Sequence, residues 1–87
     1  MNRAPKYRWI ITRDLIDGSA VRRRVRGPRG ASPDVVDNPA RFQMYDDDGN
    51  LYYEGTIYGD YDGFEPLDDF GMPDSGCTTI KINGETL

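Results

Sequence analysis

The feature that most constrains the fold of this chain is a hairpin pattern over residues 41–58. Phe42 and Met44 alternate with more polar neighbours, and residues 47–50 (Asp-Asp-Gly-Asn) then interrupt the alternation. Asp-Gly and Gly-Asn pairs readily take the positive φ angles that tight hairpin turns need. Since residues 51–58 alternate again, the sequence predicts two antiparallel strands joined by this turn.

Three further segments complete the predicted fold. Residues 6–12 alternate well enough for a strand with Trp9 as a core anchor, and residues 77–82 are typical of a final strand. Between the hairpin and that last strand, residues 64–71 place large apolar side chains three apart, which predicts a short helix ended by Gly71. The fold class expected is α+β, a small antiparallel sheet of three to four strands with one or two short helices.

The chain length predicts one domain over residues 1–87, because 87 residues supply enough apolar side chains for one thin core. Glycine and proline at residues 27–30 and 32–33 argue against a regular element there. A flexible basic loop is therefore predicted at residues 19–33.

Charge is distributed very unevenly along the chain. Residues 1–29 hold nine Lys or Arg and two Asp, whereas residues 30–87 hold two basic and thirteen acidic residues. Ten carboxylates and no basic residue lie between Met44 and Asp74. Such segregation predicts either an electrostatic clasp within the fold or two surfaces of opposite sign.

The acidic tract is the main candidate for a partner-binding surface. Spread over one face of a small domain, its carboxylates would approach half the line charge of a DNA duplex and could compete for a groove that holds nucleic acid. Tyrosine is a favoured interface residue, so two tyrosines on the expected outer face join the set. The predicted partner-binding residues are Asp46, Asp47, Asp48, Glu54, Asp60, Asp62, Glu65, Asp68, Asp69, Tyr52 and Tyr58.

Two other interpretations of the same residues remain open. The tract can be a solvated acidic surface, with the chain acting as a generic accessory module that uses a tyrosine-bearing sheet face. A basic cluster can instead clamp phosphates, although the overall acidity of the chain disfavours direct nucleic-acid binding. The residues of that alternative nucleic-acid site are Arg22, Arg23, Arg24, Arg26 and Arg29.

Several classes of chemistry find little support in the composition. The chain has no histidine and one cysteine, so no imidazole is available as a base for a serine or cysteine nucleophile, and no disulfide framework or zinc site is expected. We expect no enzymatic activity, metal or cofactor. Because no apolar run is long enough for a membrane helix or a signal peptide, the predicted location is the bacterial cytoplasm.

Parts of the sequence resemble known groups of proteins. Residues 42–55, 64–71 and 76–78 resemble small uncharacterised proteins of bacterial chromosomes and mobile elements, and this resemblance conveys no activity. In size, acidity and lack of enzymatic residues the chain is also similar to phage and prophage anti-CRISPR proteins. That second resemblance implies a stoichiometric inhibitor whose acidic face occupies a basic nucleic-acid site on a CRISPR effector complex.

Overall fold

The computed structural model describes residues 4–16 and 25–87, which form one antiparallel sheet covered on one side by a single helix. The strands are β1 (Tyr7–Asp14), β2 (Val25–Gly27), β3 (Ala40–Tyr45), β4 (Leu51–Gly59), β5 (Thr79–Ile82) and β6 (Glu85–Thr86). The helix, α1, is π-helical over Leu67–Gly71 and α-helical over Met72–Ser75.

The strand order is β2-β1-β4-β3-β5-β6, so the predicted hairpin forms the centre of the sheet. Strands β3 and β4 pair from Ala40 opposite Ile57 to Tyr45 opposite Leu51. The turn between them is stabilised by the Asp46 carboxylate, which accepts hydrogen bonds from the backbone N–H of Asp48 and Asn50. The prediction of an antiparallel hairpin in this region is confirmed.

The core lies between the sheet and α1. Register places Trp9 opposite Ile57 and Met44 opposite Tyr53 on the face that the helix covers. Trp9 stacks on the Phe70 ring at a centroid distance of 5.6 Å. The buried apolar side chains are Trp9, Ile11, Ala40, Phe42, Met44, Tyr53, Ile57, Leu67, Cys77 and Ile80. Burial of these side chains from water supplies the main driving force for the fold.

The predicted fold class of three to four strands with one or two helices is wrong. The described residues form six strands in one sheet, with one helix of nine residues, so the domain is mostly sheet. Strands β2 and β6 are three and two residues long. Segments this short carry no readable alternation, and they are extended because they pair with β1 and β5.

The predicted flexible loop at residues 19–33 also needs correction. Residues 25–27 form strand β2, with Val25 opposite Ile11 and Gly27 opposite Trp9. Gly27 is required there because a Cβ atom would come within 2.5 Å of the Trp9 ring. The first part of the predicted loop, including Arg22, Arg23 and Arg24, lies outside the described residues.

The sequence predicts that the helix ends at Gly71, but α1 continues past this residue. Gly71 has helical angles (φ −62°, ψ −46°), and the helix continues to Ser75, where Gly76 takes the left-handed conformation at φ 71°. A Cβ at Gly71 would lie 2.6 Å from the Met44 sulfur. Gly71 therefore serves the close packing of α1 on the sheet, and Gly76 ends the helix.

Candidate functional site

The two faces of the sheet carry opposite charge. Side chains of a strand alternate between faces, so the residues that flank each core position point away from α1. We call this second surface the open face; its members are Arg8, Ile10, Arg13, Arg26, Arg41, Gln43, Tyr45, Glu54, Thr56, Tyr58 and Lys81. Among residues 4–16 and 25–87, these members include five cationic side chains and one carboxylate.

The other surface is formed by the segment that covers the core. Residues 60–75 contain six carboxylates and no basic residue: Asp60, Asp62, Glu65, Asp68, Asp69 and Asp74. We call these six the acidic helix side. All except Glu65 are exposed. Within residues 4–16 and 25–87 the only ion pair joins Arg13 to Glu54 at 2.9 Å, so the six charges are not neutralised by cations of the described part of the chain.

The hairpin turn extends this negative charge beyond the helix. Thr78, just after the helix, donates its backbone N–H to the Tyr45 carbonyl at 2.9 Å, and the Tyr53 hydroxyl contacts the Ser75 hydroxyl. These contacts hold the start of the turn next to the C-terminal end of α1. Asp47 and Asp48 are exposed on the turn. The turn carboxylates therefore lie near the C-terminal end of α1, the end that carries Asp74.

Three of the predicted partner-binding carboxylates also hold the fold together. Asp69 accepts hydrogen bonds from the Tyr7 hydroxyl and the Trp9 indole N–H, at 2.8 and 2.9 Å. Glu65 accepts two backbone N–H groups, of Asp62 and Gly63, at 2.7 Å each. A carboxylate that accepts such hydrogen bonds is less available to a partner.

Asp46 is the third structural carboxylate. In addition to the two backbone N–H groups of the turn, it accepts the Asn50 side-chain amide at 3.0 Å. The hydrogen bonds from Asn50 lower the pKa of Asp46 below its ordinary value, despite an opposing effect of desolvation. Asp46 therefore fixes the turn from which Asp47 and Asp48 project.

The structure separates Glu54 and Tyr58 from the rest of the predicted set, whereas Tyr52 remains next to Asp46. Glu54 and Tyr58 lie on the open face, where Glu54 pairs with Arg13 and the Arg8 guanidinium lies 4.4 Å above the Tyr58 ring centroid. Tyr52 lies at an irregularity of β4, where its ring packs against the core. The carboxylates and tyrosines predicted as one surface thus occupy both sides of the sheet.

The sequence prediction missed four cations of the open face. They are Arg8, Arg13, Arg41 and Lys81, which come from three different strands. Arg8, Arg41 and Lys81 each stand next to a buried residue of their strand, and this alternation is the signal that marks them. Arg13 follows the register shift of β1 and carries no such signal. Arg26, which the sequence prediction assigned to a basic loop, lies opposite Ile10 on the same face.

Two concavities are found on or beside the open face. The larger, about 990 Å³, is shallow and is lined by Arg13, Arg41, Gln43 and Glu54 among others. The smaller, about 300 Å³, lies at the edge of the sheet. Its charged lining consists of Arg8, Arg26 and Arg29, and its remaining lining residues are glycine, alanine and proline.

The one cysteine of the chain is buried in the core. Burial, and to a smaller extent the charge of Asp46, raises the pKa of the Cys77 thiol to about 11, so the reactive thiolate is scarce near neutral pH.

Across residues 4–16 and 25–87, no three acidic or cysteine side chains are grouped as metal ligands. In the same part of the chain, no helix has the length and hydrophobicity needed to cross a bilayer.

Comparison with known proteins adds no relative from which a function could be inferred. The chain matches no protein-family model, no curated protein sequence and no solved structure. Its function must therefore be argued from the charge and geometry of the two faces.

Proposed function

We propose that this chain is a non-catalytic binding protein whose acidic helix side occupies the basic, nucleic-acid-binding surface of another protein. The observation that carries the proposal is the concentration of exposed carboxylates on the covered side of the sheet, with no ion pair to a cation among the described residues. Charge held this way on a folded scaffold attracts a cationic surface before contact and orients it.

The arrangement supports mimicry of a nucleic acid better than simple solubility. Most of the described cations lie on the opposite face, so the cations within residues 4–16 and 25–87 do not compensate the negative field of the acidic helix side. The shortest dimension of the molecule is 22 Å, compared with a Debye length of about 8 Å at physiological ionic strength. A partner at the acidic helix side is therefore largely screened from the described cations of the open face.

The partner class that we propose is a bacterial nucleic-acid-handling complex, and its most specific form is a CRISPR effector. In that form the chain is an anti-CRISPR-like inhibitor that competes with the target DNA. Competition for one site predicts that bound chain and bound nucleic acid exclude each other, and that both complexes weaken with salt.

A pair of matched charge variants tests the proposal. Asp62→Asn/Asp68→Asn removes two exposed carboxylates from the acidic helix side. Glu54→Gln/Asp34→Asn removes the same charge elsewhere, since Glu54 lies on the open face and Asp34 lies in the connection between β2 and β3. Each variant is immobilised and used to capture nucleic-acid-binding complexes from a bacterial lysate in rising salt. A purified CRISPR effector and its labelled target DNA form a second, defined assay.

We expect the first variant to lose at least about tenfold in affinity for the captured complex, and the second to behave as the unmodified protein. Added nucleic acid should release the complex. Capture that ignores salt, or equal loss in both variants, contradicts the proposal. If Tyr58→Ala lowers affinity for the captured complex while the carboxylate substitutions do not, the interface lies on the open face, as in the accessory-module alternative. Failure to inhibit the purified effector would exclude only the CRISPR effector as partner and would leave the broader proposal standing.

A further inference from the structure

We propose that the open face is a second binding site, which takes the backbone of a single-stranded nucleic acid, with the Arg8–Arg26–Arg29 concavity as a phosphate pocket. This inference does not depend on the proposed function, because it uses the opposite side of the molecule. It differs from the basic-loop alternative because most of its cations come from the strands themselves.

The pocket has the chemistry of a phosphate site. Three guanidinium groups surround a concavity of about 300 Å³ whose other lining residues carry no charge. None of the three forms an ion pair with a carboxylate of the described residues. Guanidinium groups bind phosphate through paired, charge-assisted hydrogen bonds, and several around one concavity bind it more tightly than isolated surface arginines.

Arg8 is already held in position within this pocket. Its Nε donates to the Val35 carbonyl at 3.0 Å, and its guanidinium lies over the Tyr58 ring. A side chain fixed by two contacts loses less conformational entropy when it binds a ligand. The fold has thus preorganised the arginine at the junction of the pocket and the open face.

The remaining cations continue from the pocket across the sheet. Arg26 and Arg41 lie at the two ends of one cross-strand row, in which Ile10 and Thr56 stand between them. At about 4.8 Å per strand the row spans roughly 14 Å. Arg13 and Lys81 lie at the two ends of a second, parallel row, in which Glu54 and Gln43 lie between them. The positive charge is therefore a track several phosphates long.

The shape of this surface selects a single strand. A DNA major groove admits one helix or a two-stranded ribbon. The open face of a six-stranded sheet is therefore too wide to enter it. Proteins that bind single strands instead combine a cationic surface with flat side chains on which bases stack. Tyr45, with Lys81 Nζ 5.1 Å from its ring centroid, and the Arg8–Tyr58 pair supply such flat groups on the open face.

The net charge of −4 does not oppose this binding at physiological salt. The shortest principal dimension of the molecule is 22 Å, which is more than two Debye lengths of about 8 Å. The acidic helix side is therefore screened from a strand bound to the open face. At low salt the screening weakens, so long-range attraction to nucleic acid is smaller than for a uniformly basic protein.

Fluorescence anisotropy with the purified chain and a labelled oligo(dT) of about 20 nucleotides tests the inference without any partner protein. If four to six phosphates are contacted, affinity should fall roughly 50- to 300-fold between about 50 and 200 mM salt. Arg26→Gln/Arg29→Gln should weaken binding and reduce the salt slope by about 1.4, the contribution of two phosphates. An oligo(U) and a duplex of the same length compare the nucleic-acid classes.

The matched control is Phe64→Glu/Met72→Glu, which lowers the net charge equally but at exposed positions on the helix side. It should bind as the unmodified chain does. Equal loss in both variants, tighter binding of the duplex than of either single strand, or no binding at about 50 mM salt overturns the inference. Equal competition by polyglutamate also overturns it, since the face would then be a site for acidic protein. Circular dichroism verifies that each variant is folded.

Discussion

The indole N–H of Trp9 donates to the Asp69 carboxylate at 2.9 Å, which ties a core side chain to the acidic helix side. Trp9 is 3% exposed, and Asp69 also accepts the Tyr7 hydroxyl at 2.8 Å. One carboxylate thus joins α1 to β1 through two donors. Asp69 therefore contributes to stability as well as to the negative surface, whereas its neighbour Asp68 contributes to the surface alone.

Replacing Asp69 by alanine should lower the free energy of unfolding by about 1–3 kcal/mol, because the buried Trp9 N–H loses its acceptor. Asp68→Ala removes the same charge from an exposed position and should change stability by less than about 0.5 kcal/mol. Urea denaturation followed by Trp9 fluorescence measures both variants. Equal stability of the two would show that the hydrogen bond to Asp69 contributes nothing.

Gly55 sets the distance between the central strands and the core. A Cβ atom there would collide with the Ile10 carbonyl and the Phe42 ring. Gly55→Ala should therefore destabilise the protein by about 1–3 kcal/mol or more, the range for overpacking of a tight core. Thr56→Ala, at the next position on the open face, is the control and should cost less. The stability of both variants, measured by thermal unfolding, tests this prediction.

The central hairpin was predictable because its determinants are local. Residues 47–50 supply turn-forming side chains, and the alternation on each side assigns the faces of β3 and β4. Strands β2 and β6 were not predictable, since their extended conformation depends on pairing rather than on their own sequence. Gly71 shows the same limit: its role depends on contact with Met44, which is remote in sequence.

The candidate sites were predictable only in part. The absence of basic residues around Asp60–Asp74 is visible in the sequence, and it predicts a common acidic surface for these carboxylates. The sequence cannot tell Asp69, which bonds to Trp9, from Asp68, which bonds to no side chain in the described residues. The open face escaped prediction because its cations are single residues spread over four strands, which only the strand order brings together.

Alkaline pH should destabilise the protein above about pH 10. Burial, the hydrogen bond to Asp69 and nearby carboxylates raise the pKa of Tyr7 above its ordinary value of 10.0. As the pH rises, Tyr7 therefore ionises first in the unfolded chain. The contribution of the protonated Tyr7 hydroxyl to stability is full below pH 10, and it is lost as the pH rises towards the higher pKa of the folded state. Tyr53 and Tyr61 shift in the same direction, mainly through burial.

The measurement is the free energy of unfolding at several values from about pH 8 to pH 11. The unmodified chain should lose stability above about pH 10, whereas Tyr7→Phe should start less stable and decline less steeply. Tyr45→Phe, a substitution of the same kind on the open face, is the matched control. Parallel pH dependences of all three proteins would contradict the role assigned to Tyr7.

Cys77 should react with a thiol reagent only when the protein unfolds. Its side chain is fully buried, and its pKa is raised to about 11. With an unfolding free energy of about 5 kcal/mol, labelling should be about a thousandfold or more slower than in the denatured chain. Labelling rates measured in rising urea should follow the population of unfolded protein. Rapid labelling in native buffer would show that the packing of Cys77 against Gly71 opens locally.

Asp46 should make the hairpin turn sensitive to acid. Hydrogen bonds, chiefly from Asn50, hold its pKa below the ordinary value of 3.8. The ionised carboxylate therefore stabilises the fold above about pH 4, and this contribution is lost as the pH falls through the lower pKa of the folded state. Asp46→Ala should thus be less stable than the unmodified chain at pH 7, and the difference should shrink on acidification to about pH 2. Asp47→Ala, which removes an exposed carboxylate from the same turn, is the matched control and should lower stability less than Asp46→Ala at pH 7. Urea denaturation of the three proteins at both pH values tests this prediction, and a constant difference for Asp46→Ala would mean that the hydrogen bonds of the turn do not depend on the charge of this carboxylate.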